Sequence, residues 1–249
     1  IATLMPFAFE SLDLSNFNII ISVTSAEAKG VLTKPNQLHI CYMLTPTRYL
    51  YSHKESYLKS QKIFKCIIIK SLAKLGLNYI RWWDKAAANR PDVIIPISNL
   101  VKSRIKKYYN LSSAETIYPP VNTSLRVNKS QKKIDPYYLS LSRLVSYKKV
   151  NLSIQAAIEL NKTLVVVGTG AQEKNLKKLS KGHKNIIFTG NISEDRVNYL
   201  LANCKALIMP GEEDFGITGL EASILGKPVI VFYKSGVAEL LKNGIDSVF

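Results

Sequence analysis

Two carboxylates, Glu213 and Glu221, stand on either side of the dipeptide Phe215-Gly216, and two cations, Arg143 and Lys148, stand close together earlier in the chain. Carboxylates accept hydrogen bonds from hydroxyls. Arginine, lysine and the free amides at a helix start attract phosphate oxygens. A ligand that offers hydroxyls and phosphates together, such as a sugar nucleotide, would satisfy both sets. Two cations and backbone amides would also stabilise a departing nucleoside diphosphate without a metal ion.

These residues need a scaffold that brings them to one crevice. The stretch 206–231 reads as an apolar strand from Ala206 to Met209, an acidic turn-rich loop from Pro210 to Gly216, a helix from Ile217 to Leu225, and a strand from Pro228 to Phe232. Upstream, strands are predicted at Tyr137–Ser142, Thr163–Val167 and Asn185–Thr189, and helices at Val150–Leu160, Gln172–Leu179 and Ser193–Ala202. Glycines follow several strands. The rhythm is that of a Rossmann-like parallel sheet, whose ligands sit beyond the carboxyl ends of the strands.

The first half repeats it more loosely. Strands are predicted at Phe17–Thr24, Leu38–Met43 and Asp92–Ser98, with one or two helical turns within Ser25–Leu32 and a helix at Asn99–Tyr109. Lys54 to Asn89 reads as two helices broken near Gly76-Leu77-Asn78, with Trp82 and Trp83 in the core. Thr116–Tyr118 is predicted as a short strand running into Pro119-Pro120, a boundary signal for an inter-domain connection ahead of the polar stretch Asn128–Lys133. The chain begins at Ile1 and stops at Asp246–Phe249 in what reads as the start of another strand, so a fragment is expected.

Glu213, Phe215, Gly216 and Glu221, followed by Gly226-Lys227-Pro228-Val229, resemble the E-x-F-G-x(4)-E and G-x-P-V signature of family-four retaining glycosyltransferases of the GT-B fold. His39-Ile40-Cys41-Tyr42 with Thr45-Pro46-Thr47-Arg48-Tyr49-Leu50 looks like the bacterial mannosyltransferases that build O-antigen and related surface polysaccharides. The resemblance implies an α/β chain with two Rossmann-like domains facing across a cleft, both incomplete here. Residues 1–125 would be the acceptor-side domain lacking its first strands, and 126–249 the donor-nucleotide domain lacking its end. The implied activity is transfer of a hexose, with mannose from GDP-mannose expected, to a lipid-linked or polysaccharide acceptor with retention of configuration. Arg143 and Lys148 would hold the diphosphate, Glu213 the sugar hydroxyls and Glu221 the ribose, with Phe215, Gly216 and Ile217 completing the donor site. The leaving diphosphate would assist the acceptor on the same face. At one position the chain departs: the subgroup's histidine before Thr-Pro, beside the donor hexose, is Leu44 here, which puts turnover in question more than fold.

Other chemistries find no support in the residues. Gly168-x-Gly170 lacks the third glycine of a dinucleotide site, since Glu173 stands there, and no Asp-x-Asp, H-E-x-x-H, G-x-S-x-G or P-loop is present. No metal or cofactor is therefore expected. Cys41, Cys66 and Cys204 have neither zinc-like spacing nor a disulfide framework, which fits a reducing compartment. The formal charge is +16, and it is lopsided: residues 1–135 carry 20 Lys and Arg against 8 Asp and Glu, residues 136–249 carry 14 against 10. Such a balance suggests an anionic partner. Ile63, Phe64, Ile67, Ile68 and Leu72 among Lys59, Lys62, Lys65, Lys70 and Lys74 make a basic amphipathic pattern. That pattern fits either an anionic membrane surface, at the cytoplasmic face, or a core-packing helix with a wet face. Nucleic acid is disfavoured, because the chain has no aromatic-interleaved basic stripe or recognisable module. No apolar run reaches the length of a membrane span.

Overall fold

The computed structural model describes residues 2–52, 67–124, 136–245 and 247–248, with backbone alone for 2 and 67–74. Contacts divide the chain into two units, Ile1–Pro119 and Pro120–Phe249, so the division falls inside the diproline.

The first unit carries α1 (Met5–Glu10), β1 (Ile19–Thr24), β2 (Leu38–Met43), α2 (Ile67–Ala87), β3 (Val93–Pro96) and α3 (Asn99–Tyr109), with a 3-10 turn at Glu27–Gly30 between the first two strands. The strands pair in parallel in the order β1-β2-β3, Ile19 opposite Leu38 and Ile40 opposite Val93. β-Branched residues suit the pleat, and their alternation decides the faces: Ile20, Ser22 and Thr24 are buried while Ile19, Ile21 and Val23 are exposed. Helix α3 starts where Ser98 Oγ accepts the Val101 N–H at 3.1 Å, and ends at Asn110 with φ 58°, a left-handed cap that asparagine tolerates.

Three expectations are corrected here. Helix α2 runs unbroken through Gly76-Leu77-Asn78, because an interior glycine costs a helix only about 1 kcal/mol and the buried Ile80, Trp83 and Ala87 that follow offset it. The two tryptophans part company: Trp83 is buried, its Nε1–H donating to Glu10 Oε1 at 2.7 Å, while Trp82 is 68% exposed. Neighbours on a helix point about 100° apart, so they rarely share a core. Thr116–Tyr118 is not a strand. The Ala114 and Ile117 amides bond to the carbonyls of Ile94 and Pro96, but the prolines that follow have no N–H with which to extend a ladder. The lysine-rich stretch from Lys54 to Cys66 and the polar stretch Asn128–Lys133 lie outside the described residues, as do the side chains of 67–74.

The second unit carries β4 (Tyr138–Leu141), α4 (Val150–Glu159), β5 (Leu164–Val167), α5 (Glu173–Leu179), β6 (Ile186–Gly190), α6 (Glu194–Asn203), β7 (Leu207–Met209), α7 (Ile217–Ile224), β8 (Val229–Val231) and β9 (Ser247–Val248). All strands are parallel, in the order β6-β5-β4-β7-β8-β9. All four residues of β5 are buried, as a strand covered on both faces requires. One face packs Leu139, Val165, Leu207 and Val229 against Leu200, Leu201, Ala222 and Val237. The other packs Leu164 and Val166 against Val150, Ile154 and Leu176. Each valine, leucine or isoleucine among them contributes about 1.5–3 kcal/mol over its exposed state.

The strand order fixes where a ligand can sit. The chain leaves β4 toward β5 on one side and leaves β7 toward β8 on the other, so the two loops diverge. Between adjacent strands β4 and β7 this opens a crevice at their carboxyl ends, the topological switch point.

Candidate active site

The loops that diverge there carry the predicted residues. After β4 comes Arg143, then a 3-10 turn, Ser146–Lys148, that ends in Lys149 at φ 51° before α4 begins. The loop is fastened from the β5 side: Leu144 N–H donates to Thr169 O and Gln172 N–H to Leu144 O, each at 2.8 Å. After β7 comes the acidic loop, in which Glu213 is 9% exposed.

Lys148 and Glu213, 65 residues apart, meet at this point. Lys148 Nζ lies 2.5 Å from Glu213 Oε1, donates to both carboxylate oxygens, and sits 5.6 Å from the centre of the Tyr147 ring. Arg143 is exposed, and its Nη2–H donates to Tyr147 OH at 3.0 Å. Tyr147 thus holds the two cations on one short turn. An ammonium and a unit negative charge about 4 Å apart attract by roughly 4 kcal/mol at the effective dielectric of a protein surface. A diphosphate arriving in the crevice would therefore compete with Glu213 for Lys148.

The acidic loop is itself held by residues that sequence reasoning missed. Glu213 N–H donates to Ser235 Oγ at 3.1 Å, the Ser235 hydroxyl donates to Gly211 O at 3.0 Å, and Gly236 N–H donates to Glu213 O at 2.9 Å. Pro210-Gly211 and Ser235-Gly236, each just past a strand, were the signals available: such dipeptides mark turns. At Gly211 a Cβ would lie 2.6 Å from Tyr147 O and 2.7 Å from Lys148 Cα, so only glycine lets the acidic loop close on the cationic one. Gly211→Ala is accordingly expected to destabilise the protein by about 1–3 kcal/mol, because backbone atoms cannot step aside. Chemical denaturation would read this, and an unchanged midpoint would show that the loops can part freely.

Phe215, in the acidic loop, is buried. Gly216 precedes α7 at φ 92°, a conformation that favours glycine, and Ile217 begins the helix at 45% exposure. The first amides of any helix lack partners within it, which makes this start a place for an anion. Glu221 lies about a turn inside α7 and is half-buried. Burial pushes its carboxyl above the ordinary value, and the charge of Glu194, in the first turn of α6, adds to the effect. No three of His, Cys, Asp and Glu converge as metal ligands among the described residues.

The raised Glu221 carboxyl gives a signed prediction. A group held above its unfolded value favours the native state while protonated; that contribution is complete below the ordinary 4.5 and is lost as pH rises through the raised value. Glu221→Gln should therefore raise the Tm near about pH 7 and leave it unchanged near about pH 4. If Glu221 also accepts ligand hydroxyls, Glu221→Ala weakens nucleotide binding by about 1–3 kcal/mol. Calorimetry that gives equal affinities for the two proteins would remove Glu221 from the donor site.

The parallel α/β architecture agrees with the solved structures the chain resembles. Anabaena Alr3699/HepE in complex with UDP and glucose matches with a TM-score of 0.62 at 15% identity, over 91% of this chain and 62% of that one. Sucrose-phosphate synthase from Thermosynechococcus elongatus matches with a TM-score of 0.67 at 15% identity, over 90% and 58%. At such identity the likeness speaks to fold, which is the α/β fold of GT-B glycosyltransferases. Residues 122–249 match the family Glycosyl transferases group 1, and the chain belongs to that family. Among curated relatives, the alpha-1,3/1,6-mannosyltransferase ALG2 of Saccharomyces cerevisiae is 26% identical over 84% of this chain and 51% of its own length. The O-antigen chain mannosyltransferase RfbU of Salmonella typhimurium is 26% identical over 67% and 49%. The chain spans about half the length of these relatives.

Proposed function

We propose that the chain belongs to a hexosyltransferase that binds a sugar nucleotide, GDP-mannose above others, on its second unit and passes the hexose with retention to a lipid-linked or polysaccharide acceptor. The observation that carries this reading is the Lys148–Glu213 pair beside Arg143 at the switch point of a parallel sheet. In the reaction the bond from the anomeric carbon to the diphosphate oxygen breaks, and the electron pair leaves with the diphosphate. Arg143, Lys148 and the amides of the Ile217 helix start stabilise that charge, which is the task usually given to a metal. The freed diphosphate oxygen takes the acceptor hydroxyl's proton, and the acceptor oxygen bonds to the same face of the sugar. Glu213 orients the sugar hydroxyls, and Glu221 orients those of the ribose.

Mannose is favoured because ALG2 and RfbU are both named mannosyltransferases. The donor base is the point to test, since HepE holds UDP. A thermal-shift screen against GDP-, UDP- and dTDP-sugars decides it, because a ligand that binds only the native state raises the Tm. No stabilisation by any of them would overturn the reading.

A second reading, a sugar-nucleotide-binding relative of low turnover, is favoured by Leu44 alone. A nucleic-acid partner is not proposed, although salt-sensitive retention on DNA would reopen it. No helix among the described residues is long and apolar enough to cross a membrane. Peripheral attachment at the cytoplasmic face is proposed on the basic first half and the lysine-rich stretch. The protein is then expected to sediment with anionic liposomes and to come off at high salt, since salt screens exposed charge. Equal sedimentation with neutral liposomes would discard the charge-based attachment.

A further inference from the structure

The Asp84 carboxylate, on α2, is 2% exposed and accepts four hydrogen bonds. Lys29 Nζ at 2.5 Å and Thr47 Oγ1 at 2.8 Å donate to Oδ1, while the hydroxyls of Tyr51 and Tyr109, each at 2.9 Å, donate to Oδ2. These fill the lone-pair sites of a carboxylate. Lys29, itself fully buried in the 3-10 turn after β1, also donates to Ala26 O at 2.7 Å. Burial, then the Asp84 charge, pushes both tyrosine hydroxyls well above their ordinary value, so they remain protonated donors.

Two of the four donors, Thr47 and Tyr51, lie on the loop that leaves the carboxyl end of β2, the central strand of the first sheet. Alternate side chains of that loop are fastened too. Thr45 Oγ1 accepts from Arg104 Nη1 at 3.3 Å, and Tyr49 OH donates to Glu27 Oε1 at 2.9 Å. A buried ion pair contributes little net stability compared with apolar residues of the same volume, so stability alone is a weak account of this one. Its better-attested use is to impose one conformation. The segment held here lies where parallel sheets present residues to ligands.

We propose that Asp84 is a positioning residue: through Thr47 and Tyr51 it holds the loop after β2 in the form that hexose transfer requires. The proposal rests on the hexosyltransferase reading above. Asp84→Ala would strand Lys29 as an unpaired buried charge and is expected to unfold the unit. The test therefore deletes hydroxyls and keeps the ion pair, comparing Thr47→Val/Tyr51→Phe with Ser22→Ala in the full chain. The double variant frees the loop from Asp84. Ser22→Ala removes a buried hydrogen bond between Ser22 Oγ and His39 Nε2, 2.9 Å apart within the β1-β2 pair, and neither residue lies on the loop.

Three readouts apply: hydrogen exchange at the Leu50 and Tyr51 amides, which bond to Thr47 O and Arg48 O; GDP affinity; and release of mannose from GDP-mannose to water. For the double variant, exchange at these amides should quicken and hydrolysis should slow by on the order of ten- to a hundredfold, with GDP affinity unchanged. Ser22→Ala should stay near wild type in all three. Equal effects of the two variants, or none from the double, would overturn the proposal by reducing the network to general stability. A wild-type protein that hydrolyses none of the GDP-, UDP- and dTDP-sugars would instead overturn the transferase reading. Loop exchange in the two variants would then still decide whether Asp84 fixes the loop.

Discussion

Lys148→Ala is expected to slow hexose transfer by on the order of a hundred- to a thousandfold, the usual loss when one preorganised charge-stabilising donor is removed. The Lys148 side chain is 18% exposed and its ammonium donates to both oxygens of Glu213, so its charge is held at the switch point before any ligand arrives. The same substitution leaves the largely buried Glu213 side chain without its counter-ion, and the protein should lose stability as well. A control must separate the two effects. Glu213→Gln supplies it, because it keeps the side-chain volume and releases Lys148 from competition. This variant should bind a nucleoside diphosphate at least as tightly as wild type while transferring slowly, whereas Lys148→Ala should lose both binding and rate. Lys148→Arg should restore only part of the rate, since a longer planar guanidinium spreads its charge over a fork where the site holds a compact ammonium. Isothermal calorimetry with GDP and initial rates on the same preparations give the comparison. Diphosphate affinity unchanged in Lys148→Ala would take Lys148 out of the leaving-group site.

That pairing also marks how far the sequence alone could be read. Where apolar periodicity and local signals agree, boundaries were legible to the residue: β2 at Leu38–Met43 follows β-branched and aromatic alternation, and α3 at Asn99–Tyr109 follows a serine cap. The same logic found each strand of the second sheet, and the motif spacing found Arg143, Lys148, Glu213 and Glu221 as candidates. What it could not show was which of them touch. Lys148 meets Glu213 only because β4 and β7 are neighbours in the sheet, a fact of topology and not of spacing. Ser235-Gly236 signalled a turn, but what Ser235 binds was hidden for the same reason: its partners, Gly211 and Glu213, belong to the preceding strand's loop. Local breaker signals misled at Gly76, where tertiary burial overrode a modest propensity cost. Asp84 read as one more polar residue of a helix, since nothing in the sequence gathers Lys29, Thr47, Tyr51 and Tyr109 around it.

The loop that Asp84 holds begins at Leu44, where a histidine is expected to restore what leucine cannot supply. Leu44 is half-buried, and its N–H donates to Thr24 O at 2.8 Å, so its backbone prolongs the β1–β2 pairing by one residue. Thr45, Thr47 and Tyr51 follow, each fastened by hydrogen bonds that do not involve the Leu44 side chain. Substitution at this position should therefore leave the loop's path intact. Histidine carries a ring N–H that can donate to a donor-sugar hydroxyl as the glycosyl bond lengthens, and one such donor is worth on the order of a hundredfold in rate. Leucine offers volume and no proton. The wild-type protein is thus expected to bind its sugar nucleotide through Arg143, Lys148 and Glu221 yet transfer slowly. Leu44→His should raise kcat toward that hundredfold limit without tightening nucleotide affinity, because the residues proposed to hold the nucleotide lie on the second unit. Steady-state rates and calorimetric affinities for the two proteins, measured with the donor that the thermal-shift screen selects, separate the outcomes. A fast wild type that Leu44→His leaves unchanged or slows would mean that another residue already donates to the sugar, and Leu44 would then be an ordinary packing residue at the end of β2.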